Sequence, residues 1–194
     1  MPDTGAPWYI PYVAGTDLVA DWPTDSQELA DAIADGLDAA GLFSQVVQTV
    51  KTDTFTTTSG TFTPVTGLTA TITPAATGSK VLVIAQVAIG GTNTASTGHF
   101  KVTRGGTDIY VGGAASNRVQ GVFGGYNFVN NGGNVWSMSV VYLDSPATTS
   151  ATTYQVECRR GTTGTAYVNR SAADSDNDNN VRGASSITVL EVKP

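Results

Sequence analysis

Among its 194 residues the chain has one cysteine and one histidine, and its first 44 residues hold no lysine or arginine. Each shortage excludes something. Cys158, alone, cannot form an internal disulfide, and its alternating setting, TYQVECRRG, predicts a buried structural thiol. With His99 the sole histidine, HExxH zinc sites and most His/Cys metal sites fall away. No GxSxG elbow, phosphate loop or dinucleotide fingerprint occurs, so no cofactor is expected and His99 is expected as a surface or cross-strand residue. No apolar run is long enough to cross a bilayer, and membrane insertion is not expected. The start, MPDTGAPWYIPYV, lacks the basic region and apolar core of a signal peptide. Charged residues make up only 13%. The bases are scattered, Arg159 and Arg160 being adjacent, and the isoelectric point is near 4.5. That balance argues against nucleic-acid binding.

The missing bases expose a break in the chain. Glu28 and seven aspartates (Asp3, Asp17, Asp21, Asp25, Asp31, Asp35, Asp38) give the first 44 residues a charge of −8. The rest carries eight acids and ten bases. The texture changes at the same place, from a proline- and aromatic-rich leader to a region dominated by the chain's 29 threonines and 22 glycines. Three segments are expected: an extended arm (1–22), a short helix (23–44) and a β head (45–194).

The arm combines Pro2, Pro7 and Pro11 with Trp8, Tyr9, Ile10, Tyr12 and Trp22. Prolines hold the chain extended and withhold donors. Exposed aromatics on a free arm would be poorly soluble, so the arm is expected in a groove, either on another protein or on its own head. Trp8, Tyr9, Ile10, Pro11 and Tyr12 are the candidate anchoring residues.

Residues 24–41 read as a helix, with Thr24 or Asp25 as the cap and Gly41 as the stop. Leu29, Ile33, Gly36, Ala40 and Phe43 recur at steps of four and three, with Leu37 beside them, the spacing of a coiled-coil seam. So short a helix is marginal alone. Its stripe must pack on the head or meet copies of itself about a symmetry axis, and Leu29, Ile33, Leu37 and Phe43 are the candidate neck residues.

Beyond Gln45 the apolar period becomes two, and about ten short strands separated by Gly, Asn, Pro and Ser turns are expected. They fall at Val46–Thr57, Thr61–Thr73, Lys80–Gly90, Gly98–Arg104, Thr107–Gly112, Val119–Val129, Val135–Leu143, Thr153–Arg159, Thr165–Arg170 and Ser185–Lys193. HFKVT-RGG-TDIYV predicts a hairpin at Gly105 and Gly106. VLVIAQVAI, from Val81, predicts a strand buried on both sides. The fold class is mainly β, an antiparallel β-sandwich of jelly-roll type behind an arm and one helix.

Asp174, Asp176 and Asp178 alternate like the opening of a calcium loop, but Asn179 and Ser185 stand where such a loop needs Gly and Glu. A solvated loop is the simpler expectation. Asp108, Asp144, Glu157 and Asp174 carry no mark of a carboxylate pair, and an enzyme is not expected. Trp136, Tyr126 and Tyr110 offer stacking faces, which leaves a carbohydrate-binding module as the alternative function.

The stretches QVVQTVKTDTFTTTSGTFTPVTGLTATITPAATGSKVLVIAQVAI, YLDSPATTSATTYQVECRR and YVNRSAADSDNDNNVRGASSITVLEVK resemble a β domain of tailed-bacteriophage virion proteins. The resemblance covers most of residues 45–193. The leader PWYIPYVAGTDLVADWPTDSQELADAIADGLDAA is similar to the attachment segments of phage fibres. It implies a homotrimeric, non-enzymatic appendage at the virion surface. In such proteins the amino-terminal part binds other virion proteins, of capsid or tail, and the β-sandwich knob faces outward. A tail-tip knob or tail fibre would touch a host glycan or protein. A head fibre or decoration protein would sit on the capsid.

Overall fold

A computed structural model describes residues 22–41, 43–90, 98–125, 135–161 and 163–194. The chain divides into two units between Leu42 and Phe43. The first holds helix α1 (Trp22–Ala40). The second holds eleven strands: β1 (Phe43–Lys51), β2 (Phe55–Thr57), β3 (Thr63–Ile72), β4 (Lys80–Gly90), β5 (Gly98–Arg104), β6 (Thr107–Ile109), β7 (Phe123–Gly125), β8 (Val135–Asp144), β9 (Thr152–Arg160), β10 (Ala166–Val168) and β11 (Ser185–Val192).

The helix begins earlier than expected. Pro23 lies within its first turn, where a missing N–H costs nothing because those amides have no helical partner. Thr24 and Asp25 are therefore inside the turn rather than capping it. Helix α1 stops at Ala40, before Gly41, so Phe43 is not on the helical stripe. It is the first residue of β1, opposite Val192.

The strands form two antiparallel sheets with the core between them. Sheet A runs β1-β11-β4-β10-β2, with β8 on the other side of β4; sheet B runs β3-β9-β5-β6, with β7 also on β5. Alternation decides which side chains enter the core. Val81, Val83, Ala85, Val87 and Ile89 of β4 point inward with Ile187 and Val189 of β11, against Leu68, Ala70 and Ile72 of β3 and Tyr154, Val156 and Cys158 of β9. Fully burying side chains of this kind contributes about 1.5–3 kcal/mol each. Gly105 and Gly106, at φ of 54° and 82°, form the β5–β6 turn, the positive pair a tight hairpin needs.

The expected Val46–Thr57 strand breaks in two because its ends have different partners, β11 for β1 and β10 for β2. Asn169 spans the break. It is fully buried, at φ 62°, and its Nδ2 donates to the carbonyls of Lys51 (2.8 Å) and Asp53 (2.9 Å), while its Oδ1 accepts from Ser185 Oγ at 2.6 Å. A buried amide with these groups paired recovers in hydrogen bonds what its desolvation costs.

Candidate interaction surface

The two sheets turn unlike faces outward. On sheet B the outward positions are polar. Thr71 Oγ1 meets Thr153 Oγ1 at 2.8 Å, and Lys101 pairs with Asp108 and, at 3.3 Å, with Glu157. Phe62 lies under Lys101 Nζ, 4.7 Å from its ring centre, and 5.9 Å from the Arg159 guanidinium. His99 is half-buried across the ladder from Arg159. Burial, then the neighbouring Arg159 charge, push its imidazole below the usual value.

The outward face of sheet A is different. The pairing register sets Val46 opposite Leu190, Leu190 opposite Leu82, and Leu82 opposite Leu143, one aliphatic row across four strands. The next row runs Gln48, Thr188, Ile84, Val141. Exposure rises toward the margins: Leu82, Ile84 and Leu190 are half-buried, whereas Val46 and Val141 are each 61% exposed and Leu143 is 45% exposed. The strand from Val81 is therefore buried on both sides only at its far end, residues 87–90, where the outward Ala88 is 7% exposed; nearer its start it is fully buried on its inner side alone. Its outward side chains Leu82 and Ile84 are half-buried.

Helix α1 carries a second apolar stripe. Leu29 is half-buried and Ile33 is 48% exposed, while Glu28, Asp31 and Asp35 are exposed. Leu37 lies in α1, and its side chain is outside the described set. The candidate anchoring residues Trp8, Tyr9, Ile10, Pro11 and Tyr12 also lie outside the described residues, as does Tyr126. Of the other two stacking candidates, Tyr110 is exposed but stacks on Tyr142 at 4.9 Å, and Trp136 is 43% exposed.

The aspartate-rich loop does not gather its carboxylates. Asp174 Oδ2 is held by Arg182 Nη2 at 2.7 Å and by Arg170 Nη1 at 3.4 Å. No cluster of three metal-ligating side chains occurs among the described residues, and Asp176 and Asp178 are exposed. Cys158 is buried as expected, and burial pushes its thiol up to about 12. Sequence reasoning missed the contrast between the two outer faces, since only the register shows which apolar residues share a row.

No protein-family model matches the chain, and no curated protein sequence matches it. Among solved structures it is similar to the 2.6 Å structure of T=1 particles derived from infectious bursal virus, at 13% identity and a TM-score of 0.36, over 77% of this chain and 36% of that one. It is also similar to the infectious bursal disease virus VP2 subviral particle, at 9% identity and a TM-score of 0.35, over 77% and 38%. The chain spans less than two-fifths of the length of either.

Proposed function

We propose that the chain is a structural virion protein of a tailed bacteriophage: a homotrimeric surface appendage, fixed through residues 1–22 and displaying its β-sandwich head. The observation that carries this reading is the unlike pair of outer faces. A sandwich with Thr71, Thr153, Lys101 and Glu157 on one side and the Val46–Leu190–Leu82–Leu143 row on the other is suited to face solvent once and a partner once. The open stripe at Leu29 and Ile33 makes the same demand for a partner in the helix. The resemblance of residues 45–193 to phage virion proteins supplies the class, a head decoration or head fibre, or a tail fibre or tip knob. A non-enzymatic role fits a thiol pushed up to about 12 and a histidine set against Arg159.

Size-exclusion chromatography with light scattering tests the assembly. The expected result is a trimer at micromolar concentration, and a monomer would sink the reading. Removing residues 1–22 is expected to abolish incorporation into particles while leaving the head folded; undiminished incorporation would refute the anchoring role. The exposed rings of Tyr110 and Trp136 favour one second reading, a carbohydrate-binding module. A glycan array with no hits removes it for the sugars tested.

A further inference from the structure

Sheet A has two margins that soluble proteins rarely leave unguarded. Among the described residues β1 pairs with β11 alone and β8 with β4 alone. Edge strands are usually protected by lysines, prolines or short length. Here β8 runs for ten residues, VWSMSVVYLD, and its sole charge, Asp144, is taken by Arg104 and Tyr154. The nine residues of β1 include one charge, Lys51, which is buried and paired with Asp53. Neither strand contains proline.

We infer that the β1 margin of one copy meets the β8 margin of a second copy, so that sheet A continues from head to head around a closed ring. The inference rests on the homotrimeric reading above and adds how the heads join. Strand direction permits it: β1 and β11, β11 and β4, and β4 and β8 are each antiparallel, so β1 and β8 run in opposite senses. A neighbour's β8 beside β1 therefore keeps the antiparallel alternation.

Symmetry favours it as well. A three-fold ring joins two different patches of the same chain, and the most exposed aliphatics of sheet A are divided in that way. Val46 and Val50 are on β1, while Val141 and Leu143 are on β8. Val46 and Leu143 end the same row, so a neighbour prolongs that row instead of meeting charge. A single foreign strand would cover one margin and leave the other open, whereas a ring of copies covers both.

The test uses the full chain with Val46→Lys, with Leu143→Glu, with both together, and with Thr71→Lys as a control on the exposed face of sheet B. Light scattering reads the assembly, and circular dichroism checks that each variant folds. Each single change is expected to weaken the trimer by at least about tenfold, because an unpaired charge then interrupts the aliphatic row where the copies join. The control is expected to leave the trimer intact. The double variant sets opposite charges across the junction and is expected to reassociate.

Singles that stay as trimeric as the control, or a double no more associated than the singles, would overturn the inference. A trimeric wild type with unaffected singles leaves the homotrimer to the helix. A monomeric wild type removes both. If a charged variant does not fold, Val46→Cys with Leu143→Cys provides a second measurement. Oxidation is expected to give covalent dimers and trimers on a denaturing gel, with buried Cys158 silent, and their absence counts against the ring.

Discussion

The Tyr154 hydroxyl on β9 donates to Asp144 Oδ2 on β8 at 2.7 Å, tying the two sheets at a buried point. Arg104 of β5 completes the tie, with Nη1 at 2.8 Å from both carboxylate oxygens. Neutralising the carboxylate takes the counter-charge from Arg104 and leaves one acceptor oxygen for two donors, whereas removing the hydroxyl leaves the ion pair in place. Asp144→Asn is expected to cost about 3 kcal/mol and Tyr154→Phe about 1 kcal/mol. Urea unfolding midpoints should fall in that order, and equal midpoints for both variants would contradict it.

Alkali should weaken the fold before acid chemistry elsewhere matters. Burial, then the hydrogen bond to Asp144, lift the Tyr154 phenol above its usual 10.0, and burial lifts Cys158 from 9.0 to about 12. In both cases the folded state holds a proton that the unfolded chain releases. Their contribution is whole below pH 9 and is lost as pH rises, through 9 to 12 for Cys158 and from 10 upward for Tyr154. Thermal midpoints across that range should decline, and Tyr154→Phe should flatten the part above pH 10. At mildly alkaline pH a thiol reagent should label Cys158 only as the protein unfolds.

Asn169 holds the point where β1 gives way to β2. Asn169→Ala would leave the carbonyls of Lys51 and Asp53 and the Ser185 hydroxyl without their partner. A loss of about 3 kcal/mol is expected. Asn169→Asp should do no better, since it sets an acceptor against two carbonyls. Chemical denaturation of the two variants checks this, and a loss within about 0.5 kcal/mol, as at ordinary surface positions, would mean the hub is dispensable.

If copies meet along the helix, Ile33→Asn should lower trimer affinity by about tenfold while the head keeps its thermal midpoint, since Ile33 is 48% exposed. Sedimentation over a concentration series separates these effects. Unchanged association would take the neck role away from Ile33.

The first 44 residues, arm and helix together, hold eight acids and no base, so this leader should meet a basic surface and docking to particles should weaken as salt rises. Binding measured across a salt series decides the point. Salt-insensitive docking would assign the contact to Trp8, Tyr9, Ile10 and Tyr12 and leave the charges to keep the free arm soluble.

Strands were legible where an apolar run or an alternating pattern is bounded by turn residues. Lys80–Gly90 and Gly98–Arg104 were expected with the bounds observed, and the Gly105–Gly106 hairpin followed from its turn residues. Pairing was not legible, because β1 meets β11 from the other end of the head and no local pattern records that. Leu82 and Ile84 look no different from Val81 and Val83 in sequence, and only the sheet decides which pair the core receives. The alternating aspartates read as a solvated loop with calcium as the weaker alternative, and local spacing does not record that Arg170 and Arg182 fold onto Asp174. Phe43 continued the helical steps on paper, but Gly41 intervenes and β1 claims it.

The place of β11 between β1 and β4 also sets a timetable. Of the head's strands β1 leaves the ribosome first and β11 last, yet β11 is the piece that joins β1 to the rest of its sheet. Until β11 has been synthesised, β1 has no strand partner among the described residues, and β4 has only β8 and, at its far end, β10. Closure is therefore a late event with large loops to organise, and folding should be slow. A ribosome stalled before residue 185 would hold a chain in which the strands of sheet B and the β4–β8 pair are already present but β1 still lacks the strand that joins it to its sheet.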